Sequence, residues 1–351
     1  MIKVALIGFG SVAQNLHLPL IRHQSQLQIT AVASSKPELV ANLVPEARCY
    51  ANYQQLLADS DADLVVITTP NEFHYPIAMQ ALKASRHVVI EKPVALLQKE
   101  VQAMQHEAEE HDVRLFPFHN RRWDGDFQTV AHLIKEDRLG KVKLFESHFD
   151  RFRPEPTDKW KEKAGPGNGI WYDLGPHLLD QTFLLFGIPE AITARLLATR
   201  PNSNTTDYFH VQLHYKDKEV HLRASNHNAA PVQRFHVQGN KGTLVKYEMD
   251  VQENQLKAGL AITDDSYGID DEANYGVLYE ESDQGLICSQ RIATLPGAYP
   301  QFYQQVVDSI RYDATPPVSV DAAIEVARFL QLGMLSQEQG KTIKVRQFRE
   351  E

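Results

Sequence analysis

A segment in the middle of the chain carries one imidazole between two carboxylates. Asp173 precedes His177 by four residues and Asp180 follows it by three, so a helix places all three on one face. An imidazole, with its ordinary pKa of about 6.5, is suited to accept and donate a proton near neutral pH. A single histidine in a helix is more often a packing or surface residue, so the prediction of acid–base chemistry needs support from elsewhere in the chain.

A lysine in the first third of the chain supplies a second chemical group. The segment Glu91-Lys92-Pro93 follows the apolar run His87–Ile90. An ammonium group favours negative charge developing on a reacting oxygen. Glu91 either pairs with Lys92 or contacts a ligand, and Asp180 is interpreted as a supporting or structural residue more readily than as a proton carrier.

A glycine turn near the N-terminus has the pattern G-x-G-x-x-A, running from Gly8 through Phe9, Gly10, Ser11 and Val12 to Ala13. It lies between an apolar run and a helical pattern, which is the context in which this pattern binds dinucleotides. Gly8 permits a tight turn, and Gly10 lets the backbone approach a pyrophosphate at the start of the following helix. The alternative is a glycine turn without a ligand.

The residues that follow the second predicted strand bear on the choice of cofactor. Sites selective for NAD carry Asp or Glu about 20 residues after the glycines. Here the chain reads Ser34-Ser35-Lys36, and two hydroxyls and an ammonium favour a 2′-phosphate. We therefore expect NADP in preference to NAD; the alternative is an ordinary polar turn that accepts either.

Further polar segments follow the predicted strands. In a doubly wound sheet, ligands bind at the carboxyl ends of the strands. His74 is interpreted as a support for the cofactor loop. The expected cofactor contacts outside the glycine turn and Ser34–Lys36 are Thr69, Pro70, Asn71, His74, Glu91, Lys92, Asn120 and Arg121.

The elements that must position these residues are predicted from apolar periodicity. Buried runs, apolar almost throughout, alternate with helical patterns over the first ~120 residues, which predicts an α/β fold with a doubly wound parallel sheet. The strands are expected at Ile2–Ile7, Ile29–Ala33, Leu64–Thr68, His87–Ile90 and Arg114–Pro117, and the helices at Val12–Arg22, Glu38–Leu43, Tyr53–Ala58, Tyr75–Ser85 and Leu97–His111.

The remainder of the chain has a different pattern of apolar residues and turns. From Ala191 to Arg291 it is mostly strand-like with short polar turns, which predicts a large, mainly antiparallel open sheet. Pro176 suits the first turn of a helix that continues through residue 186, and a last helix is expected at Val320–Gln337. We predict a Rossmann domain at 1–120 and an α+β substrate domain at 121–351. Covering the open sheet favours a homodimer or higher homo-oligomer.

Composition argues against several classes of protein. The 351 residues carry a net charge of −9, which argues against nucleic-acid and anionic-membrane partners. Two distant cysteines outside any Cys/His cluster predict neither a disulfide framework nor a metal site. The early apolar run Val4–Ile7 is too short for a secretory signal, and no segment approaches the ~20 apolar residues of a membrane span. A cytoplasmic protein is expected.

The motifs taken together resemble the glucose–fructose oxidoreductase, inositol dehydrogenase and rhizopine-catabolism family (Gfo/Idh/MocA). The resemblance covers essentially the whole chain, in the order G-x-G-x-x-A, T-P-N-x-x-H, E-K-P and D-x-G-x-H-x-x-D. The segment 119–127, His-Asn-Arg-Arg-Trp-Asp-Gly-Asp-Phe, is similar to the branch that contains NADP-dependent scyllo-inositol dehydrogenases.

The resemblance implies a catalytic constellation of Lys92, Asp173 and His177. His177 would exchange the hydroxyl proton, Asp173 would orient it or bind a neighbouring hydroxyl, and Lys92 would donate to the reacting oxygen. It also implies hydride transfer between NAD(P)(H) and a sugar or inositol, with no metal. Two alternatives stay open: a glycosidase acting through transient oxidation by NAD, and a non-catalytic NADP sensor. Weaker substrate-pocket candidates are Arg151, Trp160 and Tyr172.

Overall fold

A six-stranded parallel sheet forms the centre of the first part of the chain. A computed structural model describes residues 1–347, and the last four residues of the predicted second domain, 348–351, lie outside the described residues. The strands are arranged in the order β3-β2-β1-β4-β5-β6. Their bounds are β1 Ile2–Ile7, β2 Leu27–Ala33, β3 Arg48–Tyr50, β4 Leu64–Ile67, β5 His87–Ile90 and β6 Leu115–Pro117.

Apolar strand sequences account for the burial of this sheet on both faces. Every residue of β4 is fully buried, as helices on both sides of a parallel sheet require. A π-helical turn, Ala13–His17, follows β1 and leads directly into the first α-helix. The helices are α1 Leu18–His23, α2 Pro37–Leu43, α3 Tyr53–Asp59, α4 His74–Lys83 and α5 Gln98–Glu110.

Two segments from the second half of the chain belong to the same compact unit. Of the described residues, the first unit comprises 1–120, 252–267 and 298–327, and the second comprises 121–251, 268–297 and 328–347. The later segments bring α8 Gln252–Lys257, α9 Pro300–Tyr312 and the beginning of α10 Val320–Gln339 into the first unit. The sequence patterns did not assign these segments to the first half of the chain.

A nine-stranded sheet dominates the second unit. Its order is β14-β13-β12-β11-β7-β10-β9-β8-β15, with β7 and β10 parallel and the other neighbours antiparallel. The strands are β7 Val142–His148, β8 Ala191–Leu197, β9 Tyr208–His214, β10 Glu219–Ser225, β11 Gln233–Gly239, β12 Gly242–Tyr247, β13 Gly276–Glu281, β14 Ile287–Ile292 and β15 Ile343–Lys344. The predicted fold class, a Rossmann-type parallel sheet followed by a mainly antiparallel α+β part, is confirmed.

Two helices belong to this unit entirely: α6 Gly125–Lys135 and α7 Ile170–Phe186. The prediction that Pro176 lies in the first turn of its helix is wrong, because α7 already begins at Ile170 and Pro176 lies inside it. Proline has no N–H, so the carbonyl of Tyr172 loses its usual helical donor there. The sequence patterns also missed β3 and α9. Within residues 1–347, no helix combines the length and apolarity that crossing a membrane requires.

Candidate active site

The glycine turn after β1 is fixed by close contact with the loop after β4. Gly8 has a φ of +91°, a conformation that side chains other than glycine rarely adopt. A Cβ there would lie 3.0 Å from the carbonyl group of Thr68. The Thr68 hydroxyl donates to the Gly8 carbonyl at 2.9 Å, and the Gly8 N–H donates to the Ala33 carbonyl at 3.1 Å. The turn therefore requires glycine at position 8.

The outer side of the turn is open. No atom lies within 4 Å of the place that a Cβ on Gly10 would occupy. Gly10, Ser11 and Val12 are exposed, whereas Phe9 is buried in the core. This open backbone at the start of a helical segment fits the approach of a pyrophosphate.

The segment after β2 also presents polar groups at the same edge of the sheet. The Ser34 hydroxyl accepts from the backbone N–H of Lys36 at 3.0 Å, which closes a short turn. Ser35 and Lys36 are exposed. The turn leaves both side chains accessible to a ligand.

His74 links the loops that follow β4 and β5. Its Nδ1 lies 2.8 Å from the Pro93 carbonyl oxygen and its Nε2 lies 2.9 Å from the Thr69 carbonyl oxygen. Burial lowers the pKa of His74, although both carbonyls oppose the shift. A histidine in this position braces the two loops whose residues are the predicted cofactor contacts, and Asn71 begins a short 3₁₀ turn within the first of them.

Glu91 is a buried carboxylate at the end of β5. Its Oε1 lies 3.0 Å from Nε2 of His17, and its Oε2 accepts from the backbone N–H of Lys92 at 3.1 Å. Burial opposes ionisation, but the hydrogen bond from His17 and the charge of Lys92 outweigh it and hold the pKa of Glu91 below its ordinary value. Lys92 itself is half-buried.

In the second unit, α7 starts at a glycine that packs against backbone. Gly169 has a φ of +87°, and a Cβ there would lie 2.8 Å from backbone atoms of Thr206. The Ile170 N–H donates to the Thr206 carbonyl at 2.7 Å. Since this contact fixes the beginning of α7, it also fixes the direction in which Asp173 and His177 project.

Asp173 lies between two cations. Its Oδ1 lies 3.0 Å from Nζ of Lys161, and its Oδ2 lies 3.9 Å from a guanidinium nitrogen of Arg151. His177, one turn further along α7, is buried, with its ring centroid 6.2 Å from that of Phe149. Burial raises the pKa of the neighbouring Tyr172 hydroxyl.

Asp180 accepts hydrogen bonds from Nε and Nη2 of Arg122, at 2.8 and 2.6 Å. This bidentate pair is almost fully buried, which fits a supporting residue. The preceding Arg121 is also buried, pairs with Asp124 at 3.2 Å and stacks over the Phe149 ring. Asn120 is buried as well, and the predicted cofactor contacts of Asn120 and Arg121 stay predictions.

A loop between β7 and α7 carries Trp160, which is 42% exposed. Arg200, almost fully buried, donates to the carbonyls of Arg153 and Glu155 at 3.2 Å each. It also pairs with Asp207 at 3.1 Å. The buried Arg200 therefore holds the early part of the loop at Arg153 and Glu155, while Trp160, further along the loop, remains accessible.

The structure brings some of the predicted residues together and leaves others to be tested. The glycine turn and the segments containing Ser34, His74 and Lys92 follow strands of one parallel sheet, whereas Asp173 and His177 lie in the second unit. The meeting of Lys92 with His177 stays a prediction.

Sequence reasoning missed several buried partners of these residues. The buried ones are His17, Arg200 and Tyr303, and the half-exposed Lys161 was missed as well. His17 offered one signal, a polar residue on the apolar face of the helical pattern behind the glycine turn. The others lie in loops or in unpredicted elements.

Comparison with known proteins assigns both parts of the chain. A family model described as an oxidoreductase family with an NAD-binding Rossmann fold matches residues 2–119. A second model, the C-terminal alpha/beta domain of the same family, matches residues 131–345.

Individual relatives extend over almost the whole length. The oxidoreductase YdgJ of Escherichia coli K12 is 39% identical over 97% of this chain and 98% of its own. A scyllo-inositol 2-dehydrogenase (NADP⁺), IolW of Bacillus subtilis, is 36% identical over 97% of this chain and 95% of its own. The structure of the oxidoreductase yvaA from Bacillus subtilis superimposes with a TM-score of 0.94 at 34% identity, covering 98% of each chain.

Proposed function

Since the chain belongs to the Gfo/Idh/MocA oxidoreductase family, we propose that it transfers a hydride between NADP(H) and a secondary alcohol or ketone of a sugar or inositol. One observation carries the proposal: the open glycine turn after β1 and Lys92 after β5 lie at the carboxyl-terminal edge of one parallel sheet. Ligands of such sheets bind at that edge.

The residues at this edge suit a nicotinamide dinucleotide, which supplies the hydride donor or acceptor when bound. Backbone amides of residues 8–12 would hold its pyrophosphate. Ser34, Ser35 and Lys36 would receive a 2′-phosphate, and the absence of a carboxylate among these three residues supports NADP over NAD. The relative IolW, named as an NADP⁺ enzyme, supports the same preference.

Proton transfer is assigned to α7 of the second unit. His177 takes the hydroxyl proton during oxidation and returns it during reduction. Asp173 orients His177 or accepts a hydrogen bond from a neighbouring substrate hydroxyl. Lys92 donates to the reacting oxygen and favours its negative charge. This assignment requires Lys92 and His177 to face the same bound substrate.

A polyhydroxylated substrate suits the candidate pocket side chains of the second unit. Arg151 and Tyr172 offer hydrogen-bond donors, and Trp160 offers an apolar face for a sugar ring. The named activity of IolW on scyllo-inositol supports this substrate class.

The proposal is tested by a substrate screen. Purified protein is incubated with NADP and a panel of sugars and inositols, and NADPH formation is followed for the wild type, Lys92→Ala and His177→Ala. We expect activity with at least one polyol and its loss in both variants. No cofactor reduction with any polyol, or full activity of Lys92→Ala, would contradict the proposal; cleavage of a glycoside without net cofactor consumption would instead favour a glycosidase.

We further propose that the protein is at least a homodimer in which a second copy covers the open sheet. In β9 and β10, fully buried residues alternate with polar ones that are half-exposed, such as His214 and His221, or exposed, such as His210 and Glu219, so one face of these strands is accessible. A monomer by light scattering at assay concentration would contradict this proposal.

A further inference from the structure

A chain of buried polar groups lies behind Glu91 in the first unit. The Tyr303 hydroxyl lies 2.6 Å from Nδ1 of His17, and Nε2 of His17 lies 3.0 Å from Oε1 of Glu91. His17 and Tyr303 are fully buried, and Glu91 is 8% exposed. The Phe118 ring packs against the imidazole at 4.2 Å between centroids. Burying three polar side chains in an apolar core is costly unless all of them are satisfied.

The donors and acceptors of this chain have one consistent assignment. An ionised Glu91 can only accept, so Nε2 of His17 carries the proton and donates to it. Nδ1 of His17 then accepts from the Tyr303 hydroxyl. The other carboxylate oxygen of Glu91 accepts from the backbone N–H of Lys92 at 3.1 Å. Every group is satisfied, and the chain ends at the backbone of the predicted catalytic lysine.

We propose that His17 and Tyr303 are positioning residues, which keep Glu91 ionised and through it fix the backbone of Lys92 for reaction. The proposal rests on the proposed function, because these hydrogen-bonded groups are given the role of holding Lys92, the predicted catalytic residue. Neither residue lies in the four motifs on which the resemblance was based, and Tyr303 is separated from His17 by 286 positions along the sequence.

The groups around Glu91 determine how its charge responds to pH. Burial raises its pKa, whereas His17, Lys92 and His74 lower it, and the lowering prevails. Burial and the charge of Glu91 keep the pKa of the Tyr303 hydroxyl far above its ordinary range, so that group stays a donor. Without the His17 donor, Glu91 would remain buried with less to oppose its protonation, and its pKa would rise.

The first test needs neither cofactor nor substrate. Nitrogen NMR of histidine-labelled free protein, with His17→Gln used to assign the signal, reports which ring nitrogen carries the proton. Because Nδ1 accepts from the Tyr303 hydroxyl in this assignment, we expect the ring proton on Nε2, facing Glu91. A proton on Nδ1, or a doubly protonated ring, would overturn the assignment whether or not the protein is a dehydrogenase.

The second test uses activity and a matched series of variants. His17→Leu removes the donor to Glu91, His17→Gln retains an N–H donor, and Tyr303→Phe removes only the hydroxyl. Tyr312→Phe, at an exposed tyrosine of the same helix, is the control. We expect His17→Leu to lower kcat/KM by about tenfold or more, as for a lost hydrogen bond to a charged group, and to shift the acid limb of the pH profile upward. We expect His17→Gln to restore most of the activity, and Tyr303→Phe to show a smaller shift in the same direction.

A double variant with Glu91 distinguishes a positioning role of His17 from a general loss of stability. In a Glu91→Gln background the carboxylate is gone, so His17→Leu should cause little further loss. Equal losses in His17→Leu and His17→Gln with unchanged pH profiles, or additive losses with Glu91→Gln, would refute the proposal. If His17→Leu fails to fold, Tyr303→Phe and the NMR result decide. Full activity of Lys92→Ala would instead contradict the proposed function and leave the NMR result standing.

Discussion

The two glycines of the turn after β1 are expected to respond in opposite ways to the same substitution. Gly8→Ala places a methyl group 3.0 Å from the Thr68 carbonyl at a φ of +91°. A residue other than glycine in such a conformation costs about 1–3 kcal/mol, and relieving the contact with Thr68 adds to that. We therefore expect the free energy of unfolding to fall by at least this amount, before any ligand is considered.

Gly10→Ala is the matched comparison. A methyl group there meets no atom within 4 Å and the φ is not in the left-handed region. Such a substitution is expected to leave the free energy of unfolding unchanged or to raise it by about 0.4–1 kcal/mol. The methyl group would, however, occupy the space through which a pyrophosphate approaches the backbone. Loss of one hydrogen bond to a charged phosphate corresponds to roughly a 10- to 100-fold weaker affinity.

The pair is measured by urea unfolding without ligand and by fluorescence titration with NADPH. Gly8→Ala should lose stability, while Gly10→Ala should keep it and lose affinity. If Gly10→Ala bound NADPH as tightly as the wild type, the turn would not be the pyrophosphate site. If Gly8→Ala were as stable as the wild type, the conformational argument for its glycine would be wrong.

Three other predictions concern chemistry, cofactor choice and pH. His177→Ala should depress turnover by about 10²- to 10⁴-fold with little change in the Kd for NADPH, and a change of only a few-fold in steady-state assays would remove His177 from proton transfer. Lys36→Ala should weaken NADPH binding much more than NADH binding, with exposed Lys141→Ala as the control; equal effects on both titrations would argue against a 2′-phosphate contact. Burial and then the charge of Arg223 lower the pKa of His148 to about 4 from 6.5. Between these two values the unfolded chain binds a proton that the folded chain does not, so the free energy of unfolding should fall as the pH drops from 6.5 to about 4, by up to about 3 kcal/mol. His148→Gln should lose that part of the pH dependence in urea unfolding, and an unchanged dependence would contradict the buried neutral state.

The strands of the parallel sheet could be predicted from the sequence because each is marked by a contiguous run of residues. Strands buried on both faces are almost continuously apolar, and the run Leu64–Ile67 shows this directly. The short strand Arg48–Tyr50 was missed because three residues, one of them charged, carry no periodicity. The helix through Pro176 was placed too late because proline was interpreted as a helix start. The contact of Gly169 with Thr206 that sets the true start joins residues far apart in the chain.

The same distinction holds for the candidate site: some of its residues lie in contiguous motifs, and their partners are distant in the sequence. Glycine turns and motifs such as Glu91-Lys92-Pro93 are contiguous, so their residue types and spacing predict chemistry directly. The groups that hold them come from elsewhere: Tyr303 reaches His17 from a helix that the patterns did not predict. A buried side chain must satisfy its polar atoms with whatever the fold places beside it, and that neighbour has no fixed sequence spacing. Substitutions at such partners should therefore alter catalysis although the partners do not contact substrate. The pH profile and the coupling to the residue that the partner holds distinguish this effect from that of a residue that contacts substrate.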